Sequence, residues 1–251
     1  MKLVADFMVD VPKLKSSETV TKARQVLRDD AFREIYIFDD RKKLTGFIDL
    51  TDVLRVTATK SNVTVEGFVK EAASVTCDTP IEEAVRAIRN YRTDSACVVN
   101  DQMNIQGGVL LSDLFPIIIT RHELRGSVSQ HMSRNVVTCA PGDPIQKIHS
   151  LIVESGFTAF PVVKKNKLVG IISRRDMLKA GRIRAALENG AAVPVETLMA
   201  KDVVTVLPEE PIQSAAALMV RHDISRVPVV ESGNIMGILD RHDVLKGLAM
   251  P

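Results

Sequence analysis

The sequence predicts an α/β (α+β) protein made of four tandem β-α-β-β-α repeats. Two motifs carry this reading. Each repeat opens on Val, two variable residues, a large residue and usually Met: Val4-Ala5-Asp6-Phe7-Met8, Val65-Glu66-Gly67-Phe68-Val69, Val128-Ser129-Gln130-His131-Met132 and Val195-Glu196-Thr197-Leu198-Met199. Each repeat closes on Gly, five residues, then Asp: Gly46 to Asp52, Gly107 to Asp113, Gly170 to Asp176 and Gly237 to Asp243. The closing aspartates are spaced 61, 63 and 67 positions apart, a fixed-period self-similarity that marks a repeat architecture. The third observation is the same succession of patterns inside each copy.

A short strand comes first, Val136-Val137-Thr138-Cys139 in repeat 3 and Val203-Val204-Thr205-Val206 in repeat 4. An amphipathic helix follows. Its apolar positions are Ile212, Ala215, Ala216 and Met219 in repeat 4, and Ile81, Ala84, Val85 and Ile88 in repeat 2. That spacing of i, i+3, i+4 and i+7 puts all four on one face. Pro80, Pro144 and Pro211 fall in the first helical turn, where a missing N–H costs little, and Thr79 and Asp143 suit the N-cap before two of them. Two apolar strands then form a hairpin. Phe160–Val163 pairs with Leu168–Ile172 across a polar Lys164–Lys167 turn, and Val227–Val230 with Ile235–Leu239 around Gly233-Asn234. Strands this apolar expect cover on both faces. The second helix is expected from the closing aspartate onward.

The repeats are placed at 1–60, 61–123, 124–190 and 191–251. One such unit has too short a sheet to stand alone, so the expected pairing is 1 with 2 and 3 with 4. Thr120–Ser127 is the expected joint between pairs. The Gly181–Val193 segment, with Gly181, Gly190 and the following Pro194, links repeats 3 and 4.

Composition narrows the function. Of 251 residues, 45% are apolar and 25% charged, ordinary for a globular protein. With 33 basic and 31 acidic side chains the net charge is +2, which gives no electrostatic case for nucleic acid or an anionic membrane. Cys77, Cys97 and Cys139 are odd in number and without a close pair, which argues against disulfides or zinc. The opening MKLVADFMVD is too short and too charged for an apolar signal core. The longest apolar run, Leu114–Ile119, is broken by Pro116 and falls far short of a membrane span. A cytoplasmic protein is expected.

The β-α-β-β-α order, the Val203-Val204-Thr205-Val206 strand, the Arg226-Val227-Pro228-Val229-Val230 strand and the Gly170-Ile171-Ile172-Ser173-Arg174-Arg175-Asp176 motif together resemble CBS domains. The resemblance covers essentially the whole chain as four copies. Repeat 2 is an eroded copy. Repeat 1 is the most divergent, with Pro12-Lys13-Leu14 in place of the threonine strand and Glu34-Ile35-Tyr36 in place of the proline strand.

The resemblance implies paired repeats, called Bateman modules. Their clefts take adenosine-containing ligands: AMP, ADP, ATP or S-adenosylmethionine. It further implies that the closing Asp holds the ribose hydroxyls. The Ser or Thr three residues earlier and the first-strand Thr would lie near phosphate or adenine. The role implied is regulation of a partner protein, with a homodimer expected. Transferred to this chain, the binding set is Thr138, Ser173, Arg175 and Asp176 in repeat 3. In repeat 4 it is Thr205, Ile224, Arg226, Val227, Pro228, Asp240 and Asp243.

These residue types suit that chemistry. A carboxylate accepts from both adjacent hydroxyls of a ribose. A helix N-terminus favours phosphate, and apolar strands provide a slot for adenine. Repeat 3 matches at all three key positions. Arg174, Arg175 or basic residues of repeat 4 could meet a phosphate. Repeat 4 has Asp240 where the Ser/Thr belongs, which repels phosphate unless a cation intervenes. Repeat 1 has the same change at Asp49, and repeat 2 has Leu110, which cannot hydrogen-bond. The second module is therefore expected to bind, with the first weak or structural.

A competing reading makes the four aspartates helix caps in a scaffold without ligand. Arg221-His222-Asp223 and Arg241-His242-Asp243 lack a same-helix metal spacing and suit solvated helix ends, with phosphate contact as the alternative. His149 shares the inner helix stripe with Ile145, Ile148 and Ile152. The chain shows no Gly-rich phosphate loop, nucleophile elbow or zinc-protease motif, and the four repeats leave no stretch for a catalytic domain. A non-enzyme is expected, and a nucleic-acid regulator is the weakest alternative.

Overall fold

A computed structural model of the chain describes residues 1–28, 32–58, 61–179 and 192–248. The chain divides between Ile118 and Ile119 into two units. In unit 1, repeat 1 runs β1 (Lys13–Lys15), α1 (Val20–Val26), β2 (Glu34–Phe38), β3 (Leu44–Asp49) and α2 (Leu50–Arg55). Repeat 2 runs β4 (Ser74–Val75), α3 (Ile81–Tyr91), β5 (Ser95–Val99), β6 (Ile105–Leu110) and α4 (Leu111–Arg121). Each has a three-stranded sheet in which the first strand pairs parallel to the second and the hairpin is antiparallel.

Unit 2 starts within the last turn of α4, and its first whole element is the single turn α5 (Val128–His131). Repeat 3 continues with α6 (Ile145–Ser155), β7 (Ala159–Lys164), β8 (Lys167–Ser173) and α7 (Arg174–Lys179). Repeat 4 has α8 (Ile212–Arg221), β9 (Arg226–Glu231), β10 (Asn234–Asp240) and α9 (Arg241–Lys246).

The helix stripes face inward as their spacing demands. Ile81, Ala84, Val85 and Ile88, and likewise Ile212, Ala215, Ala216 and Met219, are fully buried. Across unit 1, one core joins Val11, Tyr36 and Phe47 of repeat 1 to Ala72, Cys97 and Val99 of repeat 2. The repeats of unit 1 thus share their hydrophobic core, and a single copy could not bury these faces.

The opening and closing motifs prove to be two halves of one contact. Each opening Val nucleates a single helical turn, and Val4, Val65, Val128 and Val195 are all fully buried. The residue after the Met position then pairs with a strand of the other repeat. Val9 exchanges backbone bonds with Gly108 at 2.9 and 3.0 Å, and Lys70 with Phe47 at 2.8 and 2.9 Å. Ser133 does so with Ile238 at 2.9 and 3.0 Å, and Ala200 with Ile171 at 3.0 and 2.9 Å. A Cβ on Gly170 would lie 2.9 Å from the Ala200 carbonyl oxygen, and one on Gly237 would lie 3.0 Å from that of Ser133. The closing glycine is therefore the landing place for the partner repeat's opening segment.

Several local expectations are corrected. The Val136–Cys139 and Val203–Val206 strands shrink to single parallel bridges, Cys139 with Val162 and Val206 with Val229. The cause is the exchange just described. Residues 134–138 must cross from β10, where Ser133 is held, to β7, where Cys139 is held, so they cannot also lie along one sheet. Pro80, Pro144 and Pro211 occupy the N-cap itself rather than the first turn. Thr79 and Asp143 instead accept from the backbone of Thr76 and Ala140, closing the preceding turns. The second helices start two residues before the closing aspartate, and in repeats 1, 3 and 4 the residue three positions earlier, Asp49, Ser173 or Asp240, takes the cap. In the repeat 4 hairpin, Ser232 and Gly233 are the left-handed turn residues, and Asn234 already belongs to β10. The first residues of the expected joint, Thr120 and Arg121, are helical. Residues 180–191, with Gly181 and Gly190 of the expected linker, lie outside the described residues.

Candidate ligand-binding site

The site is built where the last strand of each hairpin turns into its second helix. In repeat 3, Ser173 ends β8 and Asp176 is the third residue of α7. The Ser173 N–H donates to Asp176 Oδ2 at 2.8 Å, and its hydroxyl donates to the same oxygen at 2.7 Å. This is half of a capping box, completed by the Asp176 N–H reaching Ser173 Oγ at 3.4 Å. Asp176 is half-buried, and its Oδ1 has no hydrogen-bond partner among the described residues.

The equivalent aspartates are differently engaged. In repeat 4, Asp240 caps α9 and accepts from the Asp243 N–H at 2.8 Å, while Asp243 Oδ2 accepts from the Asp240 N–H at 3.2 Å. Lys246 Nζ sits on Asp243 Oδ1 at 2.8 Å, so both carboxylate oxygens are used. In repeat 1, Asp49 caps α2, and the Asp49 N–H donates to Asp52 Oδ2 at 2.9 Å. Lys70, from repeat 2, lies 2.6 Å from Asp52 Oδ2 and 3.1 Å from Asp49 Oδ2. Asp52 and Asp243 are only 2% and 3% exposed. Burial, and then the neighbouring Asp49 or Asp240 charge, raises both carboxyls above the usual aspartate range. Asp113 of repeat 2 is exposed, with a Ser112 hydroxyl at 3.2 Å. Asp176 alone among the four is half-buried and keeps an oxygen to offer.

The other candidates divide by position. Thr138 is half-buried and Thr205 exposed. Both lie on the segments that cross between repeats 3 and 4, each just before the residue that bridges to its own hairpin. Ile224 is half-buried in the turn after α8, its N–H donating to the Met219 carbonyl at 3.0 Å. Arg226 opens β9 half-buried, directly across the ladder from Asp240. Val227 and Pro228 are buried and pack inside unit 2. Arg175 is half-buried, whereas Arg174 is buried with its N–H on the Thr158 carbonyl at 3.0 Å. The structure thus joins Ser173 to Asp176 and Asp240 to Asp243 directly.

Sequence reasoning missed the two lysines. Lys246 was readable, since a cation three residues after Asp243 on a helix faces it. Lys70 was not, because only the repeat exchange brings it to Asp52. Charge also separates the units. Residues 1–118 hold 16 basic and 18 acidic side chains, and residues 119–251 hold 17 and 13 together with all five histidines. Unit 1 is therefore net negative and unit 2 net positive. His222 is exposed and His242 half-buried, and no metal-binding cluster of His, Cys, Asp or Glu occurs among the described residues. No described helix is long and apolar enough to cross a membrane.

The CBS domain family model matches residues 4–58, 65–120, 127–182 and 195–250. The chain belongs to the CBS domain family. The structure of MJ1225 from Methanocaldococcus jannaschii superposes with a TM-score of 0.82 over 98% of this chain and 99% of that one, at 22% identity, so the CBS-repeat fold is shared along the whole length. In sequence, MJ1225 is 27% identical over 182 residues, 67% of this chain and 64% of the relative. An inosine-5'-monophosphate dehydrogenase from Korarchaeum cryptofilum is 34% identical over 149 residues, 59% of this chain and 26% of that enzyme. The chain spans less than two thirds of the length of these curated relatives.

Proposed function

We propose that this CBS protein is a non-catalytic regulator that binds an adenine nucleotide (AMP, ADP or ATP) in unit 2 and acts on a separate partner protein. The observation that carries the reading is Asp176. It stands at the start of α7 with Ser173 hydrogen-bonded to one oxygen and the other, without a partner among the described residues, placed to accept from a ribose hydroxyl. Thr138 and Thr205 on the crossing segments, Ile224 beside β9, and Arg175 and Arg226 supply polar, apolar and cationic neighbours for the rest of the ligand. The net positive charge of unit 2 supports an anionic ligand there. A segment like this one forms part of an inosine-monophosphate dehydrogenase, which supports a role attached to other proteins' activity.

In repeat 4, Asp243 would have to exchange Lys246 for a ribose, and Asp240 opposes phosphate. That cleft is assigned to a less charged adenosine derivative such as S-adenosylmethionine, or to a cation-assisted nucleotide. Ligand binding would shift one repeat against the other by favouring the arrangement that binds it best. Because Ser133 and Ala200 tie each repeat to the other's strand, such a shift involves both. A homodimer and a cytoplasmic location complete the proposal.

The capping-box bonds of the aspartates favour a second reading, a scaffold that binds no ligand. A thermal-shift panel of AMP, ADP, ATP and S-adenosylmethionine separates the two. Tight binding raises the unfolding temperature by mass action, and no shift with any of the four would support the scaffold.

A further inference from the structure

Unit 1 contains a buried carboxyl that the nucleotide reading does not use. Glu34 opens β2 in repeat 1 and is 6% exposed. Its Oε1 accepts from the Asp94 N–H of repeat 2 at 2.7 Å, and its Oε2 lies 2.5 Å from Ser95 Oγ at the start of β5. Ser95 Oγ is in turn 2.6 Å from Tyr36 Oη, also buried. The chain of oxygens therefore runs from repeat 1 into repeat 2 and back, linking β2 to β5 through side chains.

No ion pair reaches Glu34 among the described residues. On β1, which pairs with β2, Lys13 and Lys15 are directed to Asp10 and Asp40, and Arg92, before Asp94, is exposed. Arg33, just before β2, is 3.5 Å from Asp94. Lys70 is held by Asp49 at the end of β3 and Asp52 on α2. Asp113 on α4 is exposed. Tyr36 and Cys97 are buried and neutral at ordinary pH, their own groups pushed upward by burial. Glu34 thus faces two carboxylates, Asp94 and Asp49, with no cation of its own. An ionised carboxylate buried in this way is costly. Burial, and then the Asp94 charge, pushes its carboxyl up to about 8.

We propose that Glu34 is a proton-operated latch between repeats 1 and 2: as the neutral acid it ties β2 to β5, and its ionisation loosens unit 1. The acid donates Oε2–H to Ser95 Oγ, and Ser95 donates onward to Tyr36 Oη. On ionisation the chain reverses, with Tyr36 donating to Ser95 and Ser95 to the carboxylate, so the hydrogen bonds persist and only the buried charge is new. The proton is then an input to unit 1 that is independent of any nucleotide in unit 2.

The sign follows from the raised value. The stabilisation is fully present below the ordinary Glu range, near 4.5, and is lost as pH rises through about 8. Across that window the unfolding constant of unit 1 should rise by about tenfold per pH unit at most, the effect of one proton.

The test is urea unfolding of the full chain between pH 5 and 9, comparing wild type with Glu34→Gln. The amide keeps an acceptor for Asp94 and a donor for Ser95 but cannot ionise. The expected result is a wild-type midpoint that falls toward pH 8 and a Glu34→Gln midpoint that does not follow it. Superimposable profiles would overturn the latch. Should Glu34→Gln not fold, carbonyl-13C NMR of wild-type Glu34 decides. A titration midpoint near 8 supports the latch, and one in the ordinary carboxylate range refutes it.

Discussion

Replacing Gly170 with alanine probes the contact that makes two repeats into one unit. The new methyl would stand 2.9 Å from the Ala200 carbonyl oxygen and 2.6 Å from Met199 Sδ. The methionine can swing aside, being flexible and unbranched. The carbonyl cannot, because Ala200 and Ile171 exchange two backbone bonds at 3.0 and 2.9 Å. If both bonds open, the loss is about 2 kcal/mol at a net worth of roughly 1 kcal/mol each. If they hold, the overpacked site costs about 1–3 kcal/mol. Either route gives about 1–3 kcal/mol of destabilisation, read as a lower urea midpoint for unit 2 with unit 1 unchanged. Gly142→Ala is the control, since a Cβ there meets nothing within 4 Å. A Gly170→Ala midpoint equal to that of Gly142→Ala would refute the landing-place argument.

Other outcomes follow from the same structure. Truncating Ile81 or Ile212, both fully buried, to alanine should cost about 2–5 kcal/mol in the unit that contains it, measured by urea unfolding. Asp243→Asn should change stability at pH 7 by no more than about 1 kcal/mol. The raised carboxyl already disfavours its charge in the fold, and the half-exposed Lys246 contributes a screened ion pair. Iodoacetamide at pH 8 should label Cys77, which is exposed, and spare the other two thiols. Burial pushes Cys97 up to about 12 and Cys139 up to about 11, so neither is a thiolate there. Intact-mass spectrometry of the native protein should show one adduct.

The repeat order and helix faces were legible because they rest on local periodicity. The i, i+3, i+4, i+7 stripes of α3 and α8 fixed their buried faces from sequence alone. Pairing within the units was also foreseeable, since one short sheet cannot bury both faces. What escaped were the features set by one repeat acting on another. The first strands of repeats 3 and 4 read as strands from their valines, yet Ser133 and Ala200 are claimed by the other repeat's sheet. The apparently divergent repeat 1 forms a fuller sheet, with Leu14 and its neighbours paired along β2. At the site, the shared Asp hid an inequality. Capping chemistry is local and common to the repeats with Ser or Asp at the cap. Whether an oxygen remains free depends on Lys70 or Lys246, and Lys70 arrives from a distant part of the chain.

Calorimetry of AMP and ATP binding to wild type and Asp176→Ala tests the central claim most directly. A ribose hydroxyl bonded to a carboxylate is worth about 1.5–3 kcal/mol, so the variant should bind roughly 10- to 150-fold more weakly, beyond the about 1 kcal/mol of stability lost with the Ser173 capping bonds. Wild-type affinity in Asp176→Ala would contradict the assignment of the nucleotide to repeat 3.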